Sequence, residues 1–316
     1  MEIFAGTSGF SYAEWCGRFY PVALPGAQML SFYCQRLPTV EINNTFYRMP
    51  TQEVVAAWGA EVPKTFRFAI KATRRITHQQ KLADVGDEVA HLFDVIGVLG
   101  QKLGPVLFQL PPFLKKDLGL LTAFLRILPA GKRAALEFRH PSWFTDDVYA
   151  ALAECNVALV GGDLEEADNS PPLVATADFG YLRLRRLDYE PSGLEDWSTQ
   201  IRAQSWKSAY VYLKHEVLGP MFAEALLANL SGCEMADLSA IRASIVAPKP
   251  KSTRASSSKS NSPEARASST PGPRTTKYPG AHATKAPSAR PTKARTGTSK
   301  APVAPPSKAP GKPRKA

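Results

Sequence analysis

The sequence predicts an α/β protein, a TIM-like (β/α)8 barrel in a single domain with a disordered basic C-terminal tail. Short apolar strands alternate with helices, which favours a parallel sheet. Eight such strands occur within about 235 residues, and a barrel of this kind typically takes about 250. The competing architecture is a doubly wound open sheet, but no G-x-G-x-x-G loop follows the first strand, so the barrel is favoured.

The predicted strands are short, mostly apolar, and bounded by turn residues. Gly6 and Gly9 interrupt the first strand, Pro38 precedes the second, and Pro111 closes the fourth. These boundaries fit the positions at which glycine and proline end regular structure. We expect strands at residues 3–8, 39–43, 66–71, 105–110, 134–138, 157–161, 181–184 and 209–213.

The predicted helices place apolar residues on one face. In the third helix, Val89, Leu92, Phe93 and Ile96 repeat with the helical period. Thr51 stands where a side-chain cap is expected at the start of the second helix. We expect helices at residues 26–36, 51–59, 87–102, 117–128, 146–154, 194–203 and 222–230.

The fifth strand combines an apolar face with a charged end. Strand alternation places Glu137 and Arg139 on one face, and Leu136 and Phe138 on the other. Charge on the inner face at the C-terminal end of a barrel strand is typical of a functional site. The alternative is a buried Glu-Arg pair that only holds the strand end.

Other predicted strands end in the same way, and in a barrel their C-terminal ends converge on one mouth. The residues at these ends are Thr7, Ser8, Glu41, Asn43, Lys71, Gln109, Glu137, Arg139, His140, Asp163, Arg183, Arg185, Lys214, His215 and Glu216. The lysines and arginines among them suit an anionic ligand such as a phosphate or a carboxylate. Glu41 and Glu137 are the catalytic candidates, as an acid/base pair. The alternative is that neighbouring cations simply neutralise both carboxylates.

The substrate-binding candidates include aromatic residues as well as polar strand ends. Tyr12 and Trp15 follow the first strand and could stack on a base or a sugar, or could simply roof the barrel. The full set of substrate-binding candidates is Asn43, Lys71, Gln109, Arg139, His140, Asp163, Arg183, Lys214, Tyr12 and Trp15.

No cofactor is identified by the sequence. A divalent metal is an alternative that the spacing does not favour, because the histidines are isolated and form no HxH or HExxH pattern. The candidate metal ligands would be His78, His140 and His215.

Charge divides the chain into two parts. Residues 248–316 contain 16 lysines and arginines and one acid, Glu264, and so carry a net charge of +15, whereas the residues before them carry −4. We expect a barrel at residues 1–235, a linker at 236–247 and a disordered tail at 248–316, rich in Ala, Pro, Ser, Lys and Arg. Such a tail could bind nucleic acid through phosphate charge, or could be a solubilising extension.

The cysteines and the hydropathy pattern bear on the compartment. Four scattered cysteines form no CxxC pair, and no apolar run is long enough to span a membrane. We therefore expect a cytoplasmic protein without a membrane partner.

Several sequence blocks occur in order along residues 3–230. They are Gly6-Thr7-Ser8-Gly9-Phe10 with Tyr12 and Trp15, Phe19-Tyr20-Pro21, Val40-Glu41-Ile42-Asn43-Asn44-Thr45-Phe46-Tyr47, Lys71 with Thr77-His78, Phe108-Gln109-Leu110-Pro111-Pro112, and Glu137-Phe138-Arg139-His140 with Trp143. Together these blocks resemble the YecE-like family. The resemblance implies a TIM-like barrel and implies no activity. Two blocks depart from the family pattern: Arg183-Leu184-Arg185-Arg186 stands where Arg-x-His-Gly is frequent, and Lys214-His215-Glu216 where an Asn-Asn pair is frequent.

Two functions are therefore expected from the sequence. In the first, the barrel mouth binds an anionic or phosphorylated small molecule or nucleotide and could hydrolyse or isomerise it. In the second, the protein is a non-catalytic nucleic-acid-associated binding protein whose affinity comes from the tail. The sequence leaves open whether the protein is an enzyme.

Overall fold

Eight parallel strands close into a barrel in the computed structural model, which describes residues 1–163 and 170–232. Each strand pairs with the next in sequence, and β8 pairs with β1 through contacts such as Thr7 with Leu213. The predicted TIM-like fold is confirmed. The strands are β1 (Glu2–Ser8), β2 (Thr39–Ile42), β3 (Arg67–Lys71), β4 (Leu103–Gln109), β5 (Ala134–Glu137), β6 (Ala158–Gly162), β7 (Phe179–Leu184) and β8 (Ser208–Leu213).

Helices alternate with the strands, as the periodicity predicts. The predicted helix 87–102 ends early, at Gly97. Gly100 then takes a φ of 53°, a left-handed conformation that ends a regular helix. The α-helices are α1 (Met29–Tyr33), α2 (Gln52–Glu61), α3 (Gly86–Gly97), α4 (Leu118–Ile127), α5 (Asp146–Glu154), α6 (Pro191–Arg202) and α7 (Gly219–Ser231).

The helix caps follow the prediction in part. Asp117 caps α4, because its carboxylate accepts a hydrogen bond from the Leu120 N–H at 2.9 Å. Thr51 occupies the cap position of α2, but its side chain makes no capping hydrogen bond there. The expected capping role of Thr51 was therefore wrong, although the helix begins where that residue predicts.

The core has two layers separated by the sheet. Leu136 and Phe138 pack outward into the layer between the strands and the helices. Ala135 points inward, where it joins the packed barrel interior with residues such as Tyr181 and Tyr212. The alternation predicted for β5 is therefore confirmed, and side chains fill the interior, as is typical of this fold.

Aromatic side chains close the barrel at the N-terminal ends of its strands. Phe4 stacks on Tyr210 with ring centroids 4.9 Å apart. The Arg133 guanidinium donates a hydrogen bond to the Tyr210 hydroxyl at 2.6 Å and also lies over the Phe179 ring. Arg67 lies over Phe4 in the same way. We call this end of the barrel the floor, defined by these five residues.

The predicted linker at 236–247 and the tail at 248–316 lie outside the described residues, so their boundaries stay predictions. Within the part of the chain that the structure describes, no helix is long and apolar enough to cross a membrane. Cys16, Cys34 and Cys155 are free thiols.

Candidate functional site

The C-terminal ends of β2, β5 and β7 bring three charged side chains together at the barrel mouth. Arg183 lies between two carboxylates: its Nη2 is 2.8 Å from Glu41 Oε1, and its Nη1 is 2.7 Å from Glu137 Oε2. All three side chains are buried, with Arg183 only 5% exposed. The sequence predicted this convergence from parallel strands whose inward positions end in charge.

Glu137 is held by two further guanidinium groups. Its Oε1 accepts hydrogen bonds from Arg185 Nη2 at 2.6 Å and from Arg139 Nε at 2.8 Å. Burial alone would raise the pKa of Glu137, but Arg183, Arg185 and Arg139 together hold it well below its usual range. Glu137 therefore stays ionised at neutral pH, and its proton affinity is too low for a general acid or base near that pH.

Glu41 is fully buried, and donors surround its carboxylate. Besides the bond from Arg183, it accepts hydrogen bonds from Ser8 Oγ at 2.5 Å, Tyr181 OH at 2.7 Å and Asn43 Nδ2 at 2.9 Å. Burial raises the pKa of Glu41, and Arg183 with these hydrogen bonds outweighs it and lowers the pKa. The arrangement supports the interpretation in which cations and hydrogen-bond donors neutralise the carboxylates, rather than an acid/base pair.

Tyr181 is a site residue that the sequence analysis missed. It lies two residues before Arg183 on β7, so strand alternation places both side chains on the inner face. Arg185 lies two residues after Arg183 and so points to the same face. In the sequence analysis, Arg185 stands among the charged strand ends but not among the substrate-binding candidates. The two-residue alternation along β7 is the signal that could have identified Tyr181 as a site residue and Arg185 as a binding candidate.

Lys71 and Gln109 extend the charged group toward β3 and β4. The Lys71 ammonium donates a hydrogen bond to Gln109 Oε1 at 2.8 Å and lies 4.5 Å from the centroid of the Phe46 ring. The same Gln109 oxygen accepts a bond from Arg183 Nη1 at 3.3 Å. Burial first, and Arg183 second, lower the pKa of Lys71 to about 8.

The group has an excess of positive charge. Four cations face two carboxylates, which leaves a formal charge of +2 when Lys71 is protonated. Unbalanced charge in a partly buried place is costly unless a counter-charge arrives. We call this set the cationic cluster, defined as Glu41, Lys71, Glu137, Arg139, Arg183 and Arg185.

A pocket of about 270 Å³ opens beside the cluster, over β5, β6 and β7. Its charged lining consists of three arginines, Arg139, Arg183 and Arg185, and two carboxylates, Glu137 and Asp163, and its apolar lining includes two phenylalanines. The Nε atoms of Arg183 and Arg185 are buried without a hydrogen-bond partner among the described residues. Orphaned donors of this kind are rare in folded proteins and need an explanation.

Gly162 sets the close approach of β6 to β7, directly after the pocket-lining residue Gly161. Its φ is 136°, and a Cβ atom there would lie 2.1 Å from the carbonyl oxygen of Arg183. A side chain would therefore collide with the backbone that carries a central residue of the cationic cluster. Only glycine fits this position without moving a strand.

Asp163 fixes the backbone of Arg185. Its Oδ1 accepts hydrogen bonds from the Arg185 N–H at 2.6 Å and from Tyr189 OH at 2.7 Å, and its Oδ2 accepts one from Trp197 Nε1 at 3.1 Å. Arg186 also approaches this carboxylate. Asp163 lines the pocket but is only 2% exposed. Its carboxylate therefore mainly holds the backbone of Arg185 in place.

The aromatic candidates after β1 form a roof. Trp15 is 1% exposed, and its indole N–H donates to the Glu216 carbonyl oxygen at 2.8 Å. Tyr12 packs against Trp15 with ring centroids 4.7 Å apart and donates a hydrogen bond to the Ser8 carbonyl oxygen. Trp15 has no face left for a ligand, so the geometry supports the roof interpretation for this residue.

Two histidines at the mouth hold turns. His140 Nδ1 accepts a hydrogen bond from the Ser142 N–H at 3.2 Å at the start of a short 3₁₀ turn. His215 Nδ1 accepts bonds from two backbone N–H groups, and its Nε2 lies 2.8 Å from the Leu187 carbonyl oxygen. Lys214, beside it, is exposed after β8.

His78 lies in a π-helical turn, Arg75–Gln79, near Lys71. Its ring contacts Phe46 edge to face, and its Nδ1 lies 2.9 Å from Thr77 Oγ1. Burial, then Lys71 and Arg139, lower the pKa of His78. Across residues 1–163 and 170–232, no group of three or more His, Cys, Asp or Glu side chains is placed to hold a metal ion.

Comparison with known proteins identifies a family model and several relatives of this chain. The family model described as "Protein of unknown function DUF72" matches residues 4–242. UPF0759 protein YecE of Escherichia coli K12 is 32% identical over 143 residues, which cover 45% of this chain and 50% of that protein. UPF0759 protein YunF of Bacillus subtilis 168 is 29% identical over 155 residues, covering 46% of this chain and 54% of that protein.

The solved structures agree with the fold. A crystal structure of a DUF72 family protein from Thermotoga maritima superposes with a TM-score of 0.63 at 23% identity, covering 73% of this chain and all of that one. The chain spans about half the length of the curated relatives it matches, whereas the family model extends over most of the chain. This protein is therefore a member of the DUF72 family, in agreement with the YecE-like resemblance of its sequence blocks.

Proposed function

We propose that the barrel mouth binds a small anionic molecule through a phosphate or carboxylate group, with Arg139, Arg183 and Arg185 as the binding residues. The observation that carries this proposal is that three arginines line one pocket and belong to a cluster with two more cations than carboxylates. Guanidinium groups match the planar geometry of an oxyanion and can donate two parallel hydrogen bonds to it.

The energetics support an anion in preference to a neutral ligand. The cationic cluster carries an excess charge of +2 in a partly buried setting, and an oxyanion would neutralise part of it. Each charge-assisted hydrogen bond contributes about 1.5–3 kcal/mol. The pocket volume of about 270 Å³ is at the low end for ligand sites, so it favours a small ligand over a large one.

The catalytic role proposed for Glu41 and Glu137 is weakened by their surroundings. Both carboxylates have lowered pKa values, and Glu41 has donors on both of its oxygens. Turnover by hydrolysis or isomerisation stays a prediction from the sequence, and it would need a different proton-transfer group. In this proposal, Glu137 instead holds three guanidinium groups in place for the ligand.

Thermal unfolding with added inorganic phosphate or benzoate tests anion binding. The unmodified protein should be stabilised by one of these anions, and Arg185→Gln should lose most of that response. Arg126→Gln is the matched control, because it removes an exposed arginine from α4 and changes the net charge equally. If Arg185→Gln and the unmodified protein respond alike to every anion, the proposal is wrong.

The basic tail supports a second candidate function. The charge of +15 over residues 248–316 favours binding to nucleic acid through phosphates, without sequence preference. These residues lie outside the described part of the chain, so this candidate depends on composition alone. Binding to duplex DNA should weaken steeply with salt and disappear when residues 248–316 are removed; equal binding by the truncated protein would exclude it.

A further inference from the structure

We propose that Lys71 is a nucleophile that forms a Schiff base with a carbonyl group of the ligand. The substrate class would be small oxo acids or phosphorylated aldehydes and ketones. The anionic group would bind Arg139, Arg183 and Arg185, and the carbonyl carbon would face Lys71. The inference therefore rests on the proposed anion site and adds to it the chemistry of the reacting group.

Lys71 is fixed at the mouth by two contacts that leave its nitrogen chemically available. It is the last residue of β3, and its Nζ bonds Gln109 Oε1 at 2.8 Å and lies over the Phe46 ring. Neither partner is an anion. The side chain is half-buried and lies outside the residues that line the pocket, so a ligand held by the pocket arginines would have to extend past Arg183 toward Gln109 to reach it.

Lys71 differs from the lysines that act as structural cations in this barrel. Lys116 pairs with Asp147 at 3.0 Å, and Lys102 donates to two backbone carbonyl oxygens near the end of α2. Among the described residues, no carboxylate lies within ion-pair distance of the Lys71 nitrogen, because arginines already engage both nearby carboxylates.

Burial and the neighbouring cations favour the neutral amine of Lys71, and the carboxylates Glu41 and Glu137 oppose them. Burial and the adjacent Arg183 lower the pKa of Lys71 to about 8, and desolvation beside another cation is a known way to activate a lysine. The titratable and charged groups that face it are Glu41 from β2, His78 from the π-helical turn, Glu137 from β5, Arg139 after β5 and Arg183 from β7.

The distance between the amine and the anion site fits one small molecule. Lys71 Nζ and Arg183 Nη1 bond the same Gln109 oxygen, at 2.8 and 3.3 Å, so the two nitrogens lie within about 6 Å of each other. A carbonyl carbon separated from an oxyanion by a few bonds spans such a gap. The short separation accounts for the substrate class, because the anion and the carbonyl must be close.

The proposed step conserves atoms and charge. The neutral Nζ of Lys71 adds to the carbonyl carbon and gives a carbinolamine. The former carbonyl oxygen then leaves as water, taking two hydrogens, and a C=N bond joins the ligand to Nζ. No oxidant or reductant takes part, and water can reverse the step.

Reductive trapping measures this reactivity directly. The protein is treated with cyanoborohydride and either glyoxylate, an anionic aldehyde, or acetaldehyde, a neutral one, and the alkylated lysines are quantified by peptide mass mapping. Lys64 is the internal control, because it is exposed and precedes β3 at the other end of the barrel. At pH 7 about one tenth of an amine with a pKa of about 8 is neutral, against about 0.04% of an ordinary lysine.

Lys71 should therefore react at least about tenfold faster than Lys64 at pH 7, and the ratio should fall as the pH rises toward 10. If Lys71 reacts no faster than Lys64 with either aldehyde, the inference is overturned. This result can be read from the unmodified protein, so it does not depend on the folding of a variant. Lys71→Arg should abolish the trapped product at this site.

The two aldehydes separate this inference from the proposed anion site. Glyoxylate should react with Lys71 faster than acetaldehyde does, and Arg185→Gln should reduce that preference. Fast reaction with both aldehydes and no preference would support the reactive lysine and contradict the anion site. A phosphate response that depends on Arg185, with slow trapping at Lys71, would support the anion site and overturn the lysine.

Discussion

Arginines occupy both ends of this barrel, but their surroundings differ. At the floor, Arg67 and Arg133 are half-buried and lie over aromatic rings, and Arg133 donates to the Tyr210 hydroxyl. At the mouth, Arg183 and Arg185 are at most 9% exposed and bond carboxylates. Their Nε donors have no partner among the described residues.

The difference teaches how one residue type serves two purposes. A half-exposed guanidinium over a ring needs no counter-ion and adds a modest stabilisation. A buried guanidinium needs both a carboxylate and a full set of acceptors. The mouth meets the first need through Glu137, but two of its Nε donors have no acceptor among the described residues. The floor therefore stabilises the barrel, and the mouth carries the candidate site.

The largest expected effect comes from Glu137→Gln, which removes the shared partner of three arginines. Loss of one member of a buried ion pair typically costs about 3–5 kcal/mol of unfolding free energy, and added phosphate should restore part of it. Chemical unfolding with and without phosphate measures both. In the unmodified protein, the folded-state pKa of Glu137 is lowered. The stabilisation that ionised Glu137 provides is therefore complete above the pKa of the unfolded state, near 4.3, and is lost as the pH falls through the pKa of the folded state.

Asp147→Asn is the control for this experiment, because it breaks an exposed pair with Lys116. Such pairs contribute about 0–1 kcal/mol. If Glu137→Gln costs no more than the control, the mouth does not depend on its carboxylate and the contrast with the floor disappears. If it costs several kcal/mol and phosphate restores none of it, the cluster is structural and the anion site loses its support.

A smaller effect, of opposite sign, is expected from Lys71→Met. Removal of a half-buried charge without an ion-pair partner should raise the unfolding free energy at pH 7 by about 1–3 kcal/mol. The folded-state pKa of about 8 lies below the ordinary value near 10.4, so between these values the unfolded chain binds more protons. The unfolding free energy of the unmodified protein should therefore increase relative to that of the variant as the pH rises from 8 to 10.

Unfolding measured at pH 7, 8, 9 and 10 tests this sign. Lys207→Met is the matched control, since Lys207 is 79% exposed and pairs with Asp178. A variant at Lys71 that is less stable than the unmodified protein at every pH would show that the contacts with Gln109 and Phe46 outweigh the cost of burial.

The smallest effect is expected at the floor. Arg133→Gln removes one hydrogen bond and two ring contacts and should cost about 1 kcal/mol. It should leave the response to phosphate unchanged, because the proposed anion site lies at the opposite end of the barrel. An altered phosphate response in this variant would show that the two ends are coupled, and the division of roles between them would be wrong.

Local patterns were sufficient to predict the fold and the direction of key side chains. The alternation from Leu136 to Arg139 placed each residue on the correct side of β5, because a strand has a period of two whatever surrounds it. The convergence of Glu41 with Arg183 followed from barrel closure, since parallel strands present their C-terminal ends on one side.

Contacts between distant segments could not be read from local patterns. The Tyr181 bond to Glu41 joins residues 140 positions apart, and the Trp15 bond to the Glu216 carbonyl joins residues 201 positions apart. Such partners depend on the register of the closed barrel and on loop packing, which propensities do not encode. The state of Glu137 was likewise unpredictable, because the number of arginines around it decides its protonation.

Gly162 has a consequence for how this pocket could diverge among relatives. With the Arg183 carbonyl 2.1 Å from where a Cβ would stand, even a methyl group would force β6 and β7 apart and pull the guanidinium from its carboxylates. The strand side of the pocket therefore cannot be widened in small evolutionary steps. Changes in pocket size should instead accumulate at lining positions outside the strands, such as Phe144 and Pro171, where a side chain can shrink or grow without disturbing the sheet.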